Sequence, residues 1–196
     1  ATSGGISLGD PEECAESLVI PDNGGSMPVV YMAQGGGQPW SSLPFGGGTV
    51  ASSGCSVTSL AMVLSYLRSG GDSGGWVYPS DIIASIAGRY GTYNYFYTAG
   101  GQRWDIFPAV ASLYGVTCRQ ISPAVIGKEL AAGHPVVMSC RPGEFTSAGH
   151  FIVLTGLTDD GYVVVNDPNP AQASYSYKKY TAAYLAGCGK GWWSFS

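Results

Sequence analysis

The sequence predicts an α+β fold in which helices come first and an antiparallel sheet follows. Two observations indicate this order: apolar residues at helical spacing in the first two thirds of the chain, and short β-branched runs between turn residues in the last third. A chain of 196 residues, 45% of them apolar, is long enough for one well-buried core. We therefore expect a linker or lead-in over residues 1–27, rich in Gly, Ser, Asp and Pro, and one domain over residues 28–196.

The first predicted helix starts at Cys55 and has the most regular apolar pattern of the chain. Apolar residues recur there at i, i+3, i+4, i+7 and i+10, which gives one buried stripe, and Gly70-Gly71 ends the helix. The stripe consists of Val57, Leu60, Ala61, Leu64 and Leu67. Ser80 is an N-cap candidate for a second helix that reaches Gly88. Two more helices are predicted over about residues 104–114 and over residues 124–132.

Three β-branched runs then predict strands over residues 135–140, 151–155 and 162–166. A hairpin turn at Asp159-Asp160-Gly161 joins the last two. If the hairpin loop has two or four residues, His150 faces Asn169, and Asp167 lies on the same face, about 7 Å along the strand. A three-residue loop would instead put Asp167 on the opposite face.

Cys55 is the candidate nucleophile, because unpaired N–H groups and the positive end of the helix dipole favour a thiolate at a helix N-terminus. A cysteine nucleophile needs a base, and the chain has two histidines. His134 lies between a predicted helix and a strand, whereas His150 precedes a strand and has small neighbours that leave space for a substrate. With Asp167 beside it, His150 would complete a set of nucleophile, base and orienting carboxylate.

Each of these residues also has a purely structural interpretation. A cysteine is more often a small buried apolar residue, a lone histidine in a β-rich segment is usually structural, and Asp167 could simply end a strand. The catalytic interpretation therefore depends on their occurrence together. Acyl transfer also needs donors for the oxyanion, and the backbone N–H of Cys55 and the side chain of Gln34 or Gln38 are candidates. Either glutamine could equally be a solvated loop residue.

Motifs between Val30 and Pro168 carry a family resemblance. They are Tyr31-x-x-Gln34 followed by Pro39-Trp40, the stretch from Thr49 through Gly54-Cys55-x-x-Thr58 to Leu64, the stretch from Gly149-His150 to Gly156, and Val165-Asn166-Asp167-Pro168. In this order they resemble the stand-alone bacterial cysteine peptidases related to bacteriocin-leader-processing enzymes, within the papain-like superfamily. The resemblance implies a papain-like fold with Cys55 as nucleophile, His150 as general base and then acid, Asp167 as orienting residue and Gln34 as oxyanion donor.

The chain departs from this family in two places. Ser56-Val57 follows the cysteine where the family usually has Gly-Pro. The chain also has an extra glycine between Gln34 and Trp40, so Gln38 could be the oxyanion donor instead of Gln34. Leader-processing relatives are commonly fused to membrane transporters, and since we expect no such segment here, a double-glycine leader is not the expected substrate.

We therefore predict a papain-like thiol hydrolase that cleaves a peptide or amide bond through a thioester, without a metal or an organic cofactor. One alternative is a peptidoglycan amidase or endopeptidase, a cell-wall hydrolase with the same triad. The other is a catalytically inert peptide-binding module.

Charge and apolar content restrict the expected partners. Nine Lys and Arg against thirteen Asp and Glu give a net charge of −4, and no basic run is present, which disfavours nucleic acid and anionic membrane surfaces. No apolar stretch approaches the roughly 20 residues of a membrane span. We expect a monomer that acts on a peptide or a peptidoglycan peptide. The start at Ala1, the low charge and the cysteine usage favour a mature secreted or cell-surface protein.

The five cysteines show no C-x-x-C spacing, which argues against a zinc site. Their odd number suits one free thiol plus up to two disulfides. Sequence cannot choose among the possible pairings. Cys118 and Cys140 could be neighbours because both lie on predicted strands, and Cys14 with Cys188 would tie both termini to the domain.

Overall fold

The computed structural model describes Leu18 and residues 27–196. The rest of the expected lead-in lies outside the described residues, and the boundary near residue 28 stays a prediction. The described helices are α1 (Val50–Ser53), α2 (Cys55–Ser69), α3 (Pro79–Tyr90), α4 (Ile106–Leu113), α5 (Ile126–Ala131) and α6 (Ala182–Cys188). Short 3-10 helices cover Ser73–Gly75, Pro123–Val125 and Pro170–Tyr177.

The strands form two small hairpins and one larger sheet. The hairpins pair β1 (Pro44–Phe45) with β2 (Gly48–Thr49) and β3 (Tyr97–Thr98) with β4 (Gly101–Gln102). The larger sheet contains β5 (Cys118–Gln120), β6 (Val136–Cys140), β7 (His150–Leu157), β8 (Val163–Asn166) and β9 (Gly189–Phe195). Its order is β5-β9-β6-β7-β8, and all neighbours are antiparallel. Helices followed by an antiparallel sheet confirm the predicted α+β class.

Helix α2 is the central element of the core. Every residue from Ser56 to Ser65 is buried, and the helix packs against β7. Gly70 ends the helix in a left-handed conformation (φ 59°), as predicted from the glycine pair. Because α2 is buried along most of its length, its first residue has a fixed position relative to the sheet.

Two predicted helix starts are wrong. Helix α3 begins at Pro79, and Ser80 lies inside it, because Asp81 Oδ2 accepts the backbone N–H of Tyr78 (2.8 Å) and thereby caps the helix earlier. The fourth predicted helix begins as a 3-10 turn, and only Ile126–Ala131 is α-helical.

The hairpin of β7 and β8 has the predicted register at its His150 end, for a different reason than predicted. Val153 faces Asn166, as a two- or four-residue loop requires, but the loop between Leu157 and Val163 has five residues. Thr155 is an extra residue in β7 that forms a β-bulge and shifts the register by one. The bulge therefore turns His150 and the chain after β8 toward the same face.

Candidate active site

Cys55 is the first residue of α2 and follows a tight junction with α1. A Cβ on Gly54 would lie 2.6 Å from the carbonyl oxygen of Val50, so only glycine fits between the two helices. Gly54 therefore lets α2 start at Cys55. The N–H groups of the first turn have no partner within the helix, and they stabilise negative charge at this thiol.

His150 and Asp167 form a direct hydrogen bond, as the hairpin register predicts. The distance from His150 Nε2 to Asp167 Oδ1 is 2.6 Å. The side chain of His150 is 10% exposed and that of Asp167 is fully buried. A buried carboxylate next to an imidazole fixes the orientation of the ring and stabilises its protonated form.

The surroundings of His150 favour its charged form. Burial lowers the pKa of His150, but hydrogen bonds to Asp167 and Cys55 and the charges of both partners raise it from 6.5 to about 10. His150 thus contacts the carboxylate on one side and the thiol on the other. At neutral pH this arrangement can hold an imidazolium between two acidic groups.

Two further groups hold the carboxylate of Asp167. The backbone N–H of Asn169 donates to Oδ1 (2.9 Å). The side-chain amide of Gln172, in the orientation that satisfies its partners, donates to Oδ2 (2.7 Å) and to the carbonyl oxygen of Phe145 (3.0 Å). Sequence reasoning missed Gln172, because it lies in an irregular 3-10 segment that no motif marks.

Cys55 and His150 line one cavity of about 290 Å³. The hairpin of β3 and β4 forms one side of it through Tyr97 and Gln102, and Trp104 follows that hairpin. The other side is the end of the large sheet. Small residues, mostly glycine and serine, make up much of the remaining lining. The cavity can therefore admit an extended backbone between the thiol and the imidazole.

The glutamines predicted as oxyanion donors lie outside this cavity lining. Gln34 is buried, and its Nε2 donates to the carbonyl oxygen of Ala51 (2.9 Å). Its Oε1 has no hydrogen-bond partner among the described residues. Gln102 does line the cavity, but its amide binds Ser56 Oγ (2.8 Å) and the carbonyl oxygen of Phe96 (2.7 Å). The role of Gln34 stays a prediction.

His134 is remote from the site and has a structural environment. Its Nδ1 lies 2.8 Å from Oε2 of the buried Glu129, which also accepts a hydrogen bond from Ser194 Oγ (2.6 Å). Arg119 binds the same carboxylate. This cluster joins α5 to the sheet and contributes nothing to the lining of the Cys55 cavity.

The remaining described cysteines are free thiols, and the expected neighbour pair Cys118 and Cys140 is wrong. Strand β9 lies between β5 and β6, so the two residues sit on strands that do not pair. Burial raises the pKa of Cys118 to about 12 and also raises that of Cys140, so both stay protonated at neutral pH. The suggested pairing through Cys14 lies outside the described residues.

Within residues 27–196, no cluster of three or more His, Cys, Asp or Glu side chains has the arrangement of a metal site. None of the helices described in that range has the length and apolar character needed to cross a bilayer.

A thiol at a helix start, next to a histidine that is bound to a buried carboxylate, is the arrangement of a cysteine hydrolase. Comparison with protein families agrees: residues 28–193 match the model described as the Peptidase_C39 like family. The chain therefore belongs to this family of papain-like α+β enzymes and is a cysteine peptidase.

Among solved structures, the chain is similar to the peptidase domain of Streptococcus ComA, a bi-functional ABC transporter involved in a quorum-sensing pathway. The match has 17% sequence identity and a TM-score of 0.39, and it covers 59% of this chain and 85% of that domain. No curated protein matches the chain.

Proposed function

We propose that the chain hydrolyses peptide bonds through a thioester on Cys55, with His150 as the proton carrier and Asp167 as the orienting residue. The observation that carries this proposal is the 2.6 Å hydrogen bond from His150 to the buried Asp167, in a cavity that also contains Cys55. A buried carboxylate at this position would be costly without a positive partner. The protonated imidazole is that partner.

The raised pKa of His150 gives the resting state of the proposed mechanism. Since that pKa is about 10, the imidazole holds a proton at neutral pH, and the mechanism we propose starts from this imidazolium beside a Cys55 thiolate. The thiolate attacks the scissile carbonyl carbon and forms a tetrahedral oxyanion. When this intermediate collapses, the C–N bond breaks, the amine takes the proton of His150, and the acyl group stays on sulfur.

Deacylation uses the same residues in reverse. The neutral His150 takes a proton from water, the resulting hydroxide attacks the thioester carbonyl, and the C–S bond breaks. The acid product leaves, and the thiolate and imidazolium are restored. Each turnover thus consumes one water and needs no other reactant.

The oxyanion needs donors in a fixed position. The backbone N–H of Cys55 is one, because the first residues of a helix have no intrahelical acceptor. We keep Gln34 as the proposed second donor. Its Nε2 has two protons, and Ala51 accepts one of them at 2.9 Å. Comparison of kcat at saturating substrate for Gln34→Ala and Gln38→Ala separates the two candidates. Removal of the true donor should lower kcat about 100-fold.

The proposal is tested with a randomised peptide library and mass spectrometry of the products. Wild type should cleave a subset of peptides, and Cys55→Ser and His150→Ala should not. Cys118→Ser is the matched control, because it also removes one thiol but lies outside the cavity. If Cys55→Ser keeps wild-type turnover, the proposal is wrong.

Substrate type and location are the remaining parts of the proposal. We propose a monomeric protein outside the cytoplasm, with a peptide or a peptidoglycan peptide as substrate; the low charge of the chain favours that location. Incubation with purified sacculi beside the peptide library separates these two substrates. Release of muropeptides without peptide cleavage would identify a cell-wall hydrolase, whereas peptide cleavage alone would identify a protease.

A further inference from the structure

Lys190 occupies an unusual position in the large sheet. On β6, the consecutive residues Ser139 and Cys140 face Gly191 and Gly189 of β9. Lys190 is therefore the extra residue of a β-bulge, without a partner on β6. Bulges next to active sites change the direction of a side chain. Lys190 is exposed in a strand whose other residues are buried, and it lines the same cavity as Cys55.

The two neighbours of Lys190 are glycines that the packing requires. A Cβ on Gly189 would lie 2.5 Å from the ring of Trp192, and a Cβ on Gly191 would lie 2.8 Å from the ring of Trp193. Neither position accepts a side chain without movement of an indole ring. The bulge thus presents one long cationic side chain between two residues that have none.

Lys190 lies level with His150 across the sheet. Cys140 on β6 faces His150 on one side and Gly189 on the other. Two strand spacings of about 4.8 Å separate the two outer backbones by about 10 Å. An extended peptide advances about 3.3 Å per residue. The Lys190 ammonium therefore reaches the position of a substrate group one to three residues from the scissile bond.

The charge around the cavity is one-sided. None of the described residues that line it is Asp or Glu. The charge of His150 is balanced by Asp167 and by the Cys55 thiolate of the proposed mechanism, so Lys190 is the charge that the lining leaves unbalanced. Lys190 forms no ion pair within residues 27–196. The chain as a whole has a net charge of −4. A cationic cavity in an acidic protein attracts an anionic ligand.

We infer that Lys190 is a specificity-determining residue that binds a carboxylate of the substrate within about three residues of the scissile bond. This inference rests on the proposed function of Cys55 and His150. The carboxylate belongs to an Asp or Glu side chain or to the C-terminus of a short peptide. Both sources present the same group to the ammonium.

Charged and neutral alkylating reagents test the cation without a known substrate. Iodoacetate carries a carboxylate and iodoacetamide does not, and each reacts with the Cys55 thiolate by displacing iodide. The measured quantity is the rate constant for iodoacetate divided by that for iodoacetamide at Cys55, obtained by mass spectrometry of the peptide that contains Cys55. This ratio should fall about two- to fivefold in Lys190→Gln, which is the effect of losing one exposed ion pair. Lys190→Arg should keep most of the ratio, and Lys190→Glu should lower it further.

Lys128→Gln is the matched control, because it makes the same charge change at an exposed lysine outside the cavity. It should leave the ratio unchanged. Added salt should reduce the ratio in wild type more than in Lys190→Gln. An equal ratio in wild type and Lys190→Gln overturns the inference, and so does an equal fall in both lysine variants.

Peptide cleavage distinguishes the two carboxylate sources. Two peptide libraries are compared, one with free and one with amidated C-termini. If Lys190 binds a side chain, the peptides cleaved from both libraries should have Asp or Glu near the cleaved bond. If Lys190 binds the C-terminal carboxylate, only the library with free C-termini should be cleaved well. Lys190→Gln should lose the preference. Cleavage by wild type without any acidic or C-terminal preference overturns this inference alone. Absence of both cleavage and Cys55 alkylation in wild type overturns the proposed function instead.

Discussion

Replacing Asp167 with Asn removes one buried negative charge and keeps an oxygen that can accept the hydrogen bond of His150. In wild type, Asp167 and Cys55 together raise the pKa of His150 from 6.5 to about 10 against the opposing effect of burial. Each pKa unit corresponds to about 1.4 kcal/mol. In Asp167→Asn no carboxylate opposes the effect of burial, which lowers the pKa of His150, so this pKa should fall below its wild-type value.

The loss of activity follows from the same interaction. A hydrogen bond to a charged group contributes about 1.5–3 kcal/mol, which corresponds to a 10- to 150-fold decrease in kcat/KM for Asp167→Asn. The assay is the pH profile of kcat/KM. Its alkaline limb reports deprotonation of His150, which must protonate the leaving amine, and this limb should move to lower pH. An unchanged alkaline limb, with kcat/KM within twofold of wild type, would refute the reasoning.

Three other predictions concern stability and positioning. The raised pKa of His150 means that its contribution to the free energy of unfolding is fully present below pH 6.5 and is lost as pH rises through 10. Denaturant titrations should show a fall on the order of 5 kcal/mol that is absent in His150→Ala. Gln172→Leu should lower kcat/KM about tenfold and shift the alkaline limb, with a melting temperature within a few degrees of wild type; a change in melting temperature alone would indicate a structural role. Gly54→Ala should destabilise by about 1–3 kcal/mol because its Cβ meets Val50 at 2.6 Å, whereas Gly88→Ala, with open space around its Cβ, should be neutral or stabilising in the same thermal melts.

The sequence alone predicts the parts of the structure that depend on the residue pattern within one segment or one hairpin. The helix at Cys55 has an apolar stripe and a glycine end, and both act within the segment itself. The contact of His150 with Asp167 followed from strand periodicity and one hairpin. The bulge at Thr155 was not predictable from the turn residues, and the register was right only because bulge and loop length compensate.

Elements defined by distant contacts were missed. Strand β9 has the sequence Gly-Lys-Gly-Trp-Trp-Ser-Phe, in which two glycines and a lysine weaken the strand pattern at its start, and pairing with β5 and β6 on both sides holds it in the sheet. The approach of Lys190 to the cavity depends on this placement. Gln172 reaches Asp167 from an irregular segment, and no periodicity indicates such a contact.

The central claim is that the acyl group resides on Cys55 during turnover. Rapid acid quench of wild type with an excess of cleavable peptide, followed by mass spectrometry of the digested protein, measures this directly. We predict an adduct with the mass of the acyl fragment on the peptide that contains Cys55, removable by hydroxylamine. Steady turnover with no such adduct, in a protein whose Cys55→Ser variant remains active, would contradict the account.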